Sequence, residues 1–185
     1  GNFATYTAQA PISGVQSSDD VIAFNDGNTA VCYAAGPGAF ATMNEPGAFF
    51  NPSLHYLMVV EPAQVTPFSS ITGTFGSSIP GAYSLIQHDV AAFADGATTD
   101  YAYSAILNQW TAAHAVTLVG SPIVVKSTVA LPTTQGFEAF SARHGTWVSQ
   151  PVSVPGNWLA PTNGANVVAF DDPIPLGVYV FDTRL

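Results

Sequence analysis

The chain has 185 residues, a net charge of −9 and only three basic residues. A phosphate backbone is bound by clustered Lys and Arg, so this composition argues against nucleic-acid binding. Only 8% of the residues are charged, against about 25% in a typical soluble domain. Such a neutral surface favours burial against other chains. No apolar run reaches the ~18 residues that would cross a bilayer, and Cys32 stands alone, which excludes an intrachain disulfide.

Short apolar runs between Gly and Pro residues predict an all-β chain. Residues 1–20 are expected to form an arm or an edge strand, and residues 21–185 a single domain. The expected loops are residues 39–52 and 69–78, and no internal repeat or linker is evident. Strands are predicted at 21–24, 29–34, 54–60, 137–142, 146–154, 166–170 and 176–183, with a hairpin turn at 25–28.

Two stretches in the middle of the chain stand out. Residues 80–95 are predicted to be the one helix, because Leu85, Ile86, Val90 and Phe93 have helix-compatible spacings and Pro80 suits a first turn. Residues 101–131 carry the longest strand-like signal. Residues 101–110 alternate as one strand, whose face with Ser104 and Asn108 is expected to meet solvent or a neighbouring subunit.

No motif for catalysis or zinc binding is present. The sequence lacks a Gly-x-Ser-x-Gly elbow, and its histidines have none of the close spacings of a zinc site. Each histidine is therefore expected to be structural, and Cys32 a small buried hydrophobic residue. The chain is not expected to be an enzyme. The four histidines are His55, His88, His114 and His144.

The paired carboxylates of Asp171 and Asp172 precede Pro173. A pair of this kind is typical of a solvated turn. Hard cations such as calcium take carboxylate oxygens, so these two residues are also the candidate metal site, at an interface with another chain. No other cofactor is expected.

The tryptophans offer a second alternative. Trp110, Trp147 and Trp158, together with seven tyrosines, would suit an extracellular sugar-binding module if several lay exposed in a row. Packing in the core or in an interface is the ordinary role of such residues. The two roles predict opposite exposures.

From residue 54 onward the order of features resembles the shell proteins of small icosahedral positive-strand RNA viruses, nodaviruses in particular. The resemblance lies in the run LHYLMVVEP, in a Pro-Gly step at residues 80–81 leading into an alternating strand, and in the segment GSPIVVK at 120–126. The final segment, 166–184, is similar to a closing hairpin. The basic arm that such shells usually carry is missing.

This resemblance implies an eight-stranded antiparallel jelly-roll β-sandwich with one short helix. It implies a structural protein of the virion, a capsid subunit that self-assembles into an icosahedral shell with copies of itself and with other capsid chains. No membrane partner is implied. The first alternative is an extracellular carbohydrate-binding β-sandwich, and the second is an extracellular hydrolase on the same fold with Asp171 or Asp172 as its catalytic acid.

Overall fold

The computed structural model describes residues 3–80, 83–94, 100–114, 117–152, 162–163, 166–173 and 176–184. Within these ranges the chain forms twenty β-strands in five antiparallel sheets and no α-helix. Consequently no helix in the described ranges could cross a membrane. The chain divides into two compact units, Gly1–Ala82 and Tyr83–Leu185.

The first unit holds two sheets. The first sheet has the strand order β1 (Ile12–Ser17), β2 (Val21–Asp26), β3 (Thr29–Ala34) and β4 (Ala39–Asn44). The second sheet has the order β5 (Phe49–Pro52), β6 (Tyr56–Val60), β7 (Gln64–Ser69) and β8 (Thr74–Phe75), and β9 (Ile79–Pro80) pairs with the other part of β7.

The second unit holds the other three sheets. The third sheet runs β10 (Tyr83–Gln87), β11 (Val90–Ala94), β12 (Asp100–Ser104) and β13 (Gln109–Ala112). The fourth runs β14 (Ile123–Val125), β15 (Thr128–Thr133), β16 (Gly136–Ser141) and β17 (Thr146–Pro151). The fifth runs β18 (Thr162–Asn163), β19 (Val167–Pro173) and β20 (Leu176–Asp182).

The strand order corrects the predicted fold. A jelly roll builds two sheets from strands that are distant in sequence, whereas here nearly every strand pairs with the next one along the chain. The all-β class is confirmed, but the single eight-stranded jelly-roll sandwich, and the capsid architecture drawn from it, are wrong. Successive four-stranded meanders are instead the sheet type from which β-propeller blades are made.

The predicted helix at residues 80–95 is also wrong. Its described part forms the hairpin of β10 and β11, in which Leu85 pairs with Ala92 and Gln87 with Val90. Short apolar runs fit either period, and Ile86, Val90 and Phe93 are residue types that favour strands. His88, with φ of 21°, makes the turn that no helix would contain.

The central strand predicted at 101–110 is interrupted. It contains β12, a turn, and β13, because Asn108 adopts a left-handed φ of 52°. Ser104, expected on an exposed face, is completely buried. The face of β12 that carries Ala102 and Ser104 packs on the fourth sheet, where the Ser104 hydroxyl donates to the Ala142 carbonyl at 2.6 Å. The face predicted to meet solvent is therefore the buried one.

The sheets reveal an internal repeat that the sequence reading missed. An aromatic residue ends or nearly ends the third strand, a glycine or asparagine with positive φ follows five residues later, and a second aromatic residue lies in the fourth strand. The four copies are YAAGPGAF at 33–40, FSSITGTF at 68–75, YSAILNQW at 103–110 and FSARHGTW at 140–147.

The turn chemistry explains the serine at the second position in two of the four copies. In the second position of the octapeptide, the Ser69 hydroxyl accepts hydrogen bonds from the Ile71 and Thr72 amides, and the Ser104 hydroxyl accepts one from Leu107 N–H. The fifth sheet has Asp182 at this place, which accepts from Arg184 N–H at 2.9 Å. Side-chain oxygens that cap backbone amides favour turns of this kind.

One backbone hydrogen bond recurs in all five sheets. The N–H of the residue two positions after the aromatic one donates a hydrogen bond. Its acceptor is the carbonyl of the residue immediately before the second strand of the sheet. This bond closes each hairpin in the same way and identifies the fifth sheet as a further copy. The five pairs are Ala35 to Asp20, Ser70 to His55, Ala105 to Asp89, Ala142 to Ser127 and Thr183 to Asn166.

Neighbouring sheets within a unit bury their faces against each other. In the first unit, Cys32 on the first sheet shares a core with Phe68 on the second, and burial raises the pKa of the Cys32 thiol to about 12. The expectation that Cys32 is buried is confirmed. In the second unit, Ala102 on the third sheet packs with Phe140 on the fourth. The opposite face of the fourth sheet packs on the fifth, where the Phe137 and Phe170 rings stack at 3.8 Å.

The segment before β1 is tied to the first sheet by one carboxylate. Asp26 accepts hydrogen bonds from the amides of Gln9 and Ala10 and from the Tyr6 hydroxyl. The Gln9 amide is the main cause that lowers the pKa of Asp26, against the opposing effect of burial. Tyr6 also packs against Phe24 at 5.4 Å between ring centroids.

Asp26→Asn should release this segment. A carboxyl group with a lowered pKa stabilises the fold above its ordinary pKa, and the contribution is lost as pH falls through the lowered value. At neutral pH we expect the Gln9 and Ala10 amides of the variant to exchange about tenfold faster, the loss of roughly one hydrogen bond to a charged group. Hydrogen exchange measures this, with Asp19→Asn as the exposed control, and the difference should shrink in strong acid.

Candidate functional site

The predicted metal ligands lie in a strand. Asp171 and Asp172 belong to β19, paired with Val178 and Gly177, so the expected turn at this point is wrong. Their side chains lie outside the described residues. Among the residues that the structure does describe, no three His, Cys, Asp or Glu side chains form a group that could hold a metal ion. A calcium site at Asp171 and Asp172 stays a prediction.

The two described tryptophans pack against other rings. Trp147 is buried against Phe140, at 5.4 Å between centroids, and its indole N–H donates to the Thr111 carbonyl. Trp110 is half-buried and meets Tyr103 at 5.1 Å and Phe93 at 6.0 Å. Trp158 lies outside the described residues. The two described rings do not form an exposed row.

The histidines have different surroundings. His55 approaches Asp20 with 3.4 Å between Nε2 and Oδ2, at equivalent repeat positions of the first two sheets. His88 and His144 lie in hairpin turns. His114, expected to be structural, belongs to a polar cluster that contains a buried carboxylate. That cluster is the candidate site.

The cluster consists of His114, Glu138 and Ser149. Glu138 lies in β16, a strand whose residues are all buried, and is itself only 3% exposed. Its register partner in β17 is Ser149, so the two side chains share one face of the fourth sheet. His114 comes from the segment that follows β13. The pairing of β16 with β17 therefore positions Glu138 and Ser149, and His114 reaches them from a different segment of the same unit.

Glu138 accepts three hydrogen bonds. Its Oε1 receives Ser149 Oγ at 2.9 Å and lies 3.0 Å from His114 Nδ1, and its Oε2 receives the His114 amide at 3.3 Å. A carboxylate removed from water is costly unless it is hydrogen-bonded, so these donors are the reason that the strand tolerates it. They also hold the His114 segment against the sheet.

The geometry differs from that of a nucleophilic triad. In such a triad the serine and the acid contact opposite nitrogens of the histidine. Here Ser149 Oγ, at 3.5 Å, and Glu138 Oε1, at 3.0 Å, both approach Nδ1, and Ser149 donates to the acid itself. The imidazole, 65% exposed, thus presents its other nitrogen away from Ser149. This arrangement suits recognition of a polar group and does not activate the serine hydroxyl.

A small open pocket of about 60 Å³ adjoins the cluster. Glu138 and Ser149 line it together with the exposed amides of Gln135 and Gln150. Gly136 completes the wall, where a Cβ atom would meet the Gln150 carbonyl oxygen at 2.1 Å. Thr133, Phe137 and Pro151 also line it, so the lining combines polar and apolar side chains.

A second pocket, of about 110 Å³, opens beside the third sheet. Its lining is almost wholly apolar, with Asp100 as the one charged residue among Leu85, Ala92, Phe93, Tyr101, Leu118, Pro122 and Leu131. No cluster of polar side chains converges on it. It therefore lacks the groups that would orient a ligand.

Reading the sequence missed the cluster because its members are far apart along the chain. His114 and Glu138 are separated by 24 positions and come together only through the packing of the unit. One signal was available. Glu138 is the single charged residue within the apolar strand GFEAFS, and a lone acid in a buried strand needs donors nearby.

No protein-family model matches this sequence, and no curated protein matches it either. Solved structures resemble this chain only at low similarity. The N-terminal domain of Nup159 is 14% identical over 88% of this chain and 53% of that one, with a TM-score of 0.40. Kluyveromyces lactis Hsv2p is 12% identical over 94% and 61%, with a TM-score of 0.38.

The computationally designed protein Ika4 is 12% identical over 97% of this chain and 95% of the designed one, with a TM-score of 0.33. This chain thus spans little more than half of the natural structures. At this level of similarity, the likenesses assign neither a family nor an activity to the chain.

Proposed function

We propose that this chain is a non-catalytic carbohydrate-binding module, with the Glu138 cluster and its adjoining pocket as the recognition site. The observation that carries the proposal is an open pocket lined by the buried Glu138 together with Thr133, Ser149 and the amides of Gln135 and Gln150, beside the apolar Phe137 and Pro151. Carboxylate, hydroxyl and amide groups are the partners that sugar hydroxyls need, since each hydroxyl both donates and accepts.

The size of the pocket defines what it can hold. About 60 Å³ admits one or two hydroxyl groups at the edge of a sugar ring, while the rest of the ligand stays outside. Whole-ligand pockets are several times larger. We therefore expect weak binding of a terminal sugar unit, with the exposed Ser149 hydroxyl contacting one of its hydroxyls and the buried Glu138 holding Ser149 in position.

The charge balance also favours a neutral ligand. The chain has twelve acidic residues against three basic ones, so its field repels anions. Glu138 would add to that repulsion at the pocket itself. Nucleotides, sulfated glycans and other anionic ligands are accordingly poor candidates, and neutral glycans are the class to test.

The test is a screen on a glycan array followed by calorimetric titration of each neutral glycan retained. Ser149→Ala should weaken binding about fivefold to tenfold, since it removes one hydrogen bond to the ligand. Glu138→Gln should weaken it further while preserving the side-chain shape. Ser17→Ala and Asp19→Asn, both exposed in the first unit, are the matched controls and should bind like the original protein.

Folding and recognition are separated by a thermal melt of each variant. Binding that is lost by a variant with an unchanged melting temperature supports the site. If no neutral glycan binds at millimolar concentration, or if Ser149→Ala and Glu138→Gln bind as well as the controls, the proposal is wrong.

A further inference from the structure

All three Lys and Arg residues of the chain lie at one end of the second unit. Lys126 lies in the turn between β14 and β15, Arg143 lies in the turn between β16 and β17, and Arg184 follows the end of β20. The first and third turns of an antiparallel meander lie at the same end of the sheet, so Lys126 and Arg143 share one end of the fourth sheet. The first unit, Gly1–Ala82, contains neither Lys nor Arg. A chain with a net charge of −9 thus concentrates its positive charge in one place.

Contacts of the buried Ser127 bring the three basic segments together. Ser127 directly follows the lysine in the chain. Its carbonyl accepts the N–H of Ala142 at 2.9 Å, and Ala142 immediately precedes one arginine. Its hydroxyl lies 3.4 Å from the hydroxyl of Thr183, which immediately precedes the other arginine. Each basic residue is therefore one position away from a group that contacts Ser127. These three residues form the basic cluster: Lys126, Arg143 and Arg184.

The acidic residues at this end leave the basic cluster with excess positive charge. Within the described ranges they are Asp89, whose N–H donates to the Lys126 carbonyl, and Asp182. Arg184 forms an ion pair with Asp182 at 2.6 Å, in which the carboxylate is 16% exposed and the guanidinium side chain 58%. Lys126 and Arg143 are exposed, and neither forms an ion pair in the described part of the chain.

The charge of Arg143 reaches this ion pair. Hydrogen bonds from the Arg184 side chain are the main cause that lowers the pKa of Asp182 to about 2, and the charge of Arg143 contributes to the same shift. The two arginines therefore act on one carboxylate from different segments. Arg184 already shows how a carboxylate is bound here, since its Nε and its Nη2 both donate to Asp182. A guanidinium group is suited to such two-point recognition of a carboxylate.

The backbone at this end restricts the kind of anion that can bind. A single phosphate or sulfate ion is commonly held by free backbone N–H groups. Here the N–H groups of Asp89, Ala142 and Arg184 already donate to protein oxygens. An anion must therefore be bound by long side chains that come from three separate segments. Carboxylates spaced along an extended chain match that arrangement, whereas a nucleic acid needs more cations and is repelled by the net negative charge of the protein.

We propose that the basic cluster is a docking surface for an acidic segment of a partner protein. Lys126 and Arg143 would pair with carboxylates of the segment, and the exposed edge of the Arg184 guanidinium would contact a third. This surface is separate from the candidate sugar site. Gln135 and Gly136, which line the pocket, lie in the turn between β15 and β16, at the opposite end of the fourth sheet.

The experiment is a titration of a dye-labelled hexaglutamate peptide with the full chain at low salt, followed by fluorescence anisotropy. We expect hexaglutamate to bind, hexaglutamine not to bind, and the affinity to fall as salt is added. Lys126→Gln and Arg143→Gln should each weaken binding about tenfold, because each removes a hydrogen bond between charged groups. Gln16→Glu changes the net charge by the same amount at an exposed position of the first unit and should bind like the original protein.

Two further measurements separate a loss of binding from a loss of folding. A thermal melt of each variant should match that of the original protein, since both substituted side chains are exposed. Arg143→Lys keeps the charge and should bind more tightly than Arg143→Gln. The proposal is overturned if hexaglutamate does not bind, or if Lys126→Gln and Arg143→Gln bind it as well as Gln16→Glu does.

Competing probes distinguish the acidic segment from other anions. A short single-stranded oligonucleotide and inorganic phosphate are added to the complex, with sodium chloride of equal ionic strength as the control. Neither should displace the peptide more than the chloride control does. An oligonucleotide that binds more tightly than hexaglutamate, or phosphate that displaces the peptide at millimolar concentration, would show a different ligand and refute the docking of an acidic segment.

Discussion

Replacing Gly136 by alanine should reduce the free energy of unfolding by about 3 kcal/mol, since it combines a strained backbone with a steric overlap. Gly136 has φ of +145°, and an added Cβ would lie 2.1 Å from the Gln150 carbonyl oxygen and 2.9 Å from Pro151 Cα. Both are backbone atoms of the paired strand, so neither can rotate away. The two strands would have to separate at the wall of the candidate site.

The matched control is Gly38→Ala. Gly38 also has a positive φ, +67°, but a Cβ there meets nothing within 4 Å. Its cost should be only the conformational one, about 1 kcal/mol. Urea unfolding followed by circular dichroism measures both variants. Equal losses of unfolding free energy for the two variants would show that β17 does not approach Gly136 closely enough to exclude a Cβ atom.

Phe140→Ala should be comparably severe, with a loss of about 3–5 kcal/mol. The Phe140 side chain is completely buried, packs against the Trp147 ring and joins the core shared by the third and fourth sheets. Removing the ring leaves a cavity in that core. The surrounding sheets are held by their own hydrogen bonds and can close it only in part.

The conservative variant Phe140→Leu keeps most of the volume and should cost about 1 kcal/mol. Tyr33→Ala occupies the same repeat position in the first sheet, where the ring is only partly buried, and should be milder than Phe140→Ala. Urea unfolding of the three variants tests this order. A Phe140→Ala protein as stable as Tyr33→Ala would contradict the assignment of Phe140 to a core between sheets.

Local patterns predicted the strands well where hairpin signals were strong. The predicted strand at 29–34 coincides with β3, and the turn signal at 25–28 surrounds the two-residue connection between β2 and β3, with Gly27 at φ +59°. A glycine at the first of the two loop residues, as at Gly27-Asn28, favours a hairpin turn of this kind whatever the tertiary fold. The β2–β3 hairpin is therefore determined by residues that are adjacent in the sequence.

The arrangement of the strands was not predictable in the same way. A jelly roll and a series of meanders contain similar short strands and similar turns, and they differ only in which strands pair. The octapeptide repeat holds that information, but Pro37 in one copy and Leu107 in another share no chemistry. What recurs is the backbone conformation at a fixed position of the repeat, as at Gly73 and Asn108, which both have a positive φ. A repeat that is defined by backbone conformation is hard to recognise from the amino-acid sequence alone.

The candidate site needed the fold before it could be recognised. His114, Glu138 and Ser149 belong to three separate segments, and only the register of β16 with β17 and the return of the His114 segment unite them. A single buried charge was visible in the sequence, but its partners depend on tertiary packing. Side chains that meet across a unit leave no spacing pattern for a motif search to detect.

The recurring amide-to-carbonyl bond within each sheet has a consequence for how the molecule folds. Ala35 and Asp20, or Thr183 and Asn166, lie within about twenty positions of each other, as do the paired strands around them. Contacts of short sequence separation close quickly, so each sheet can form early and without waiting for distant segments. The stability of each sheet then depends mainly on its contacts with the neighbouring sheets, as in other repeat proteins. Loss of structure should accordingly proceed sheet by sheet, and calorimetric unfolding should depart from a single all-or-none transition.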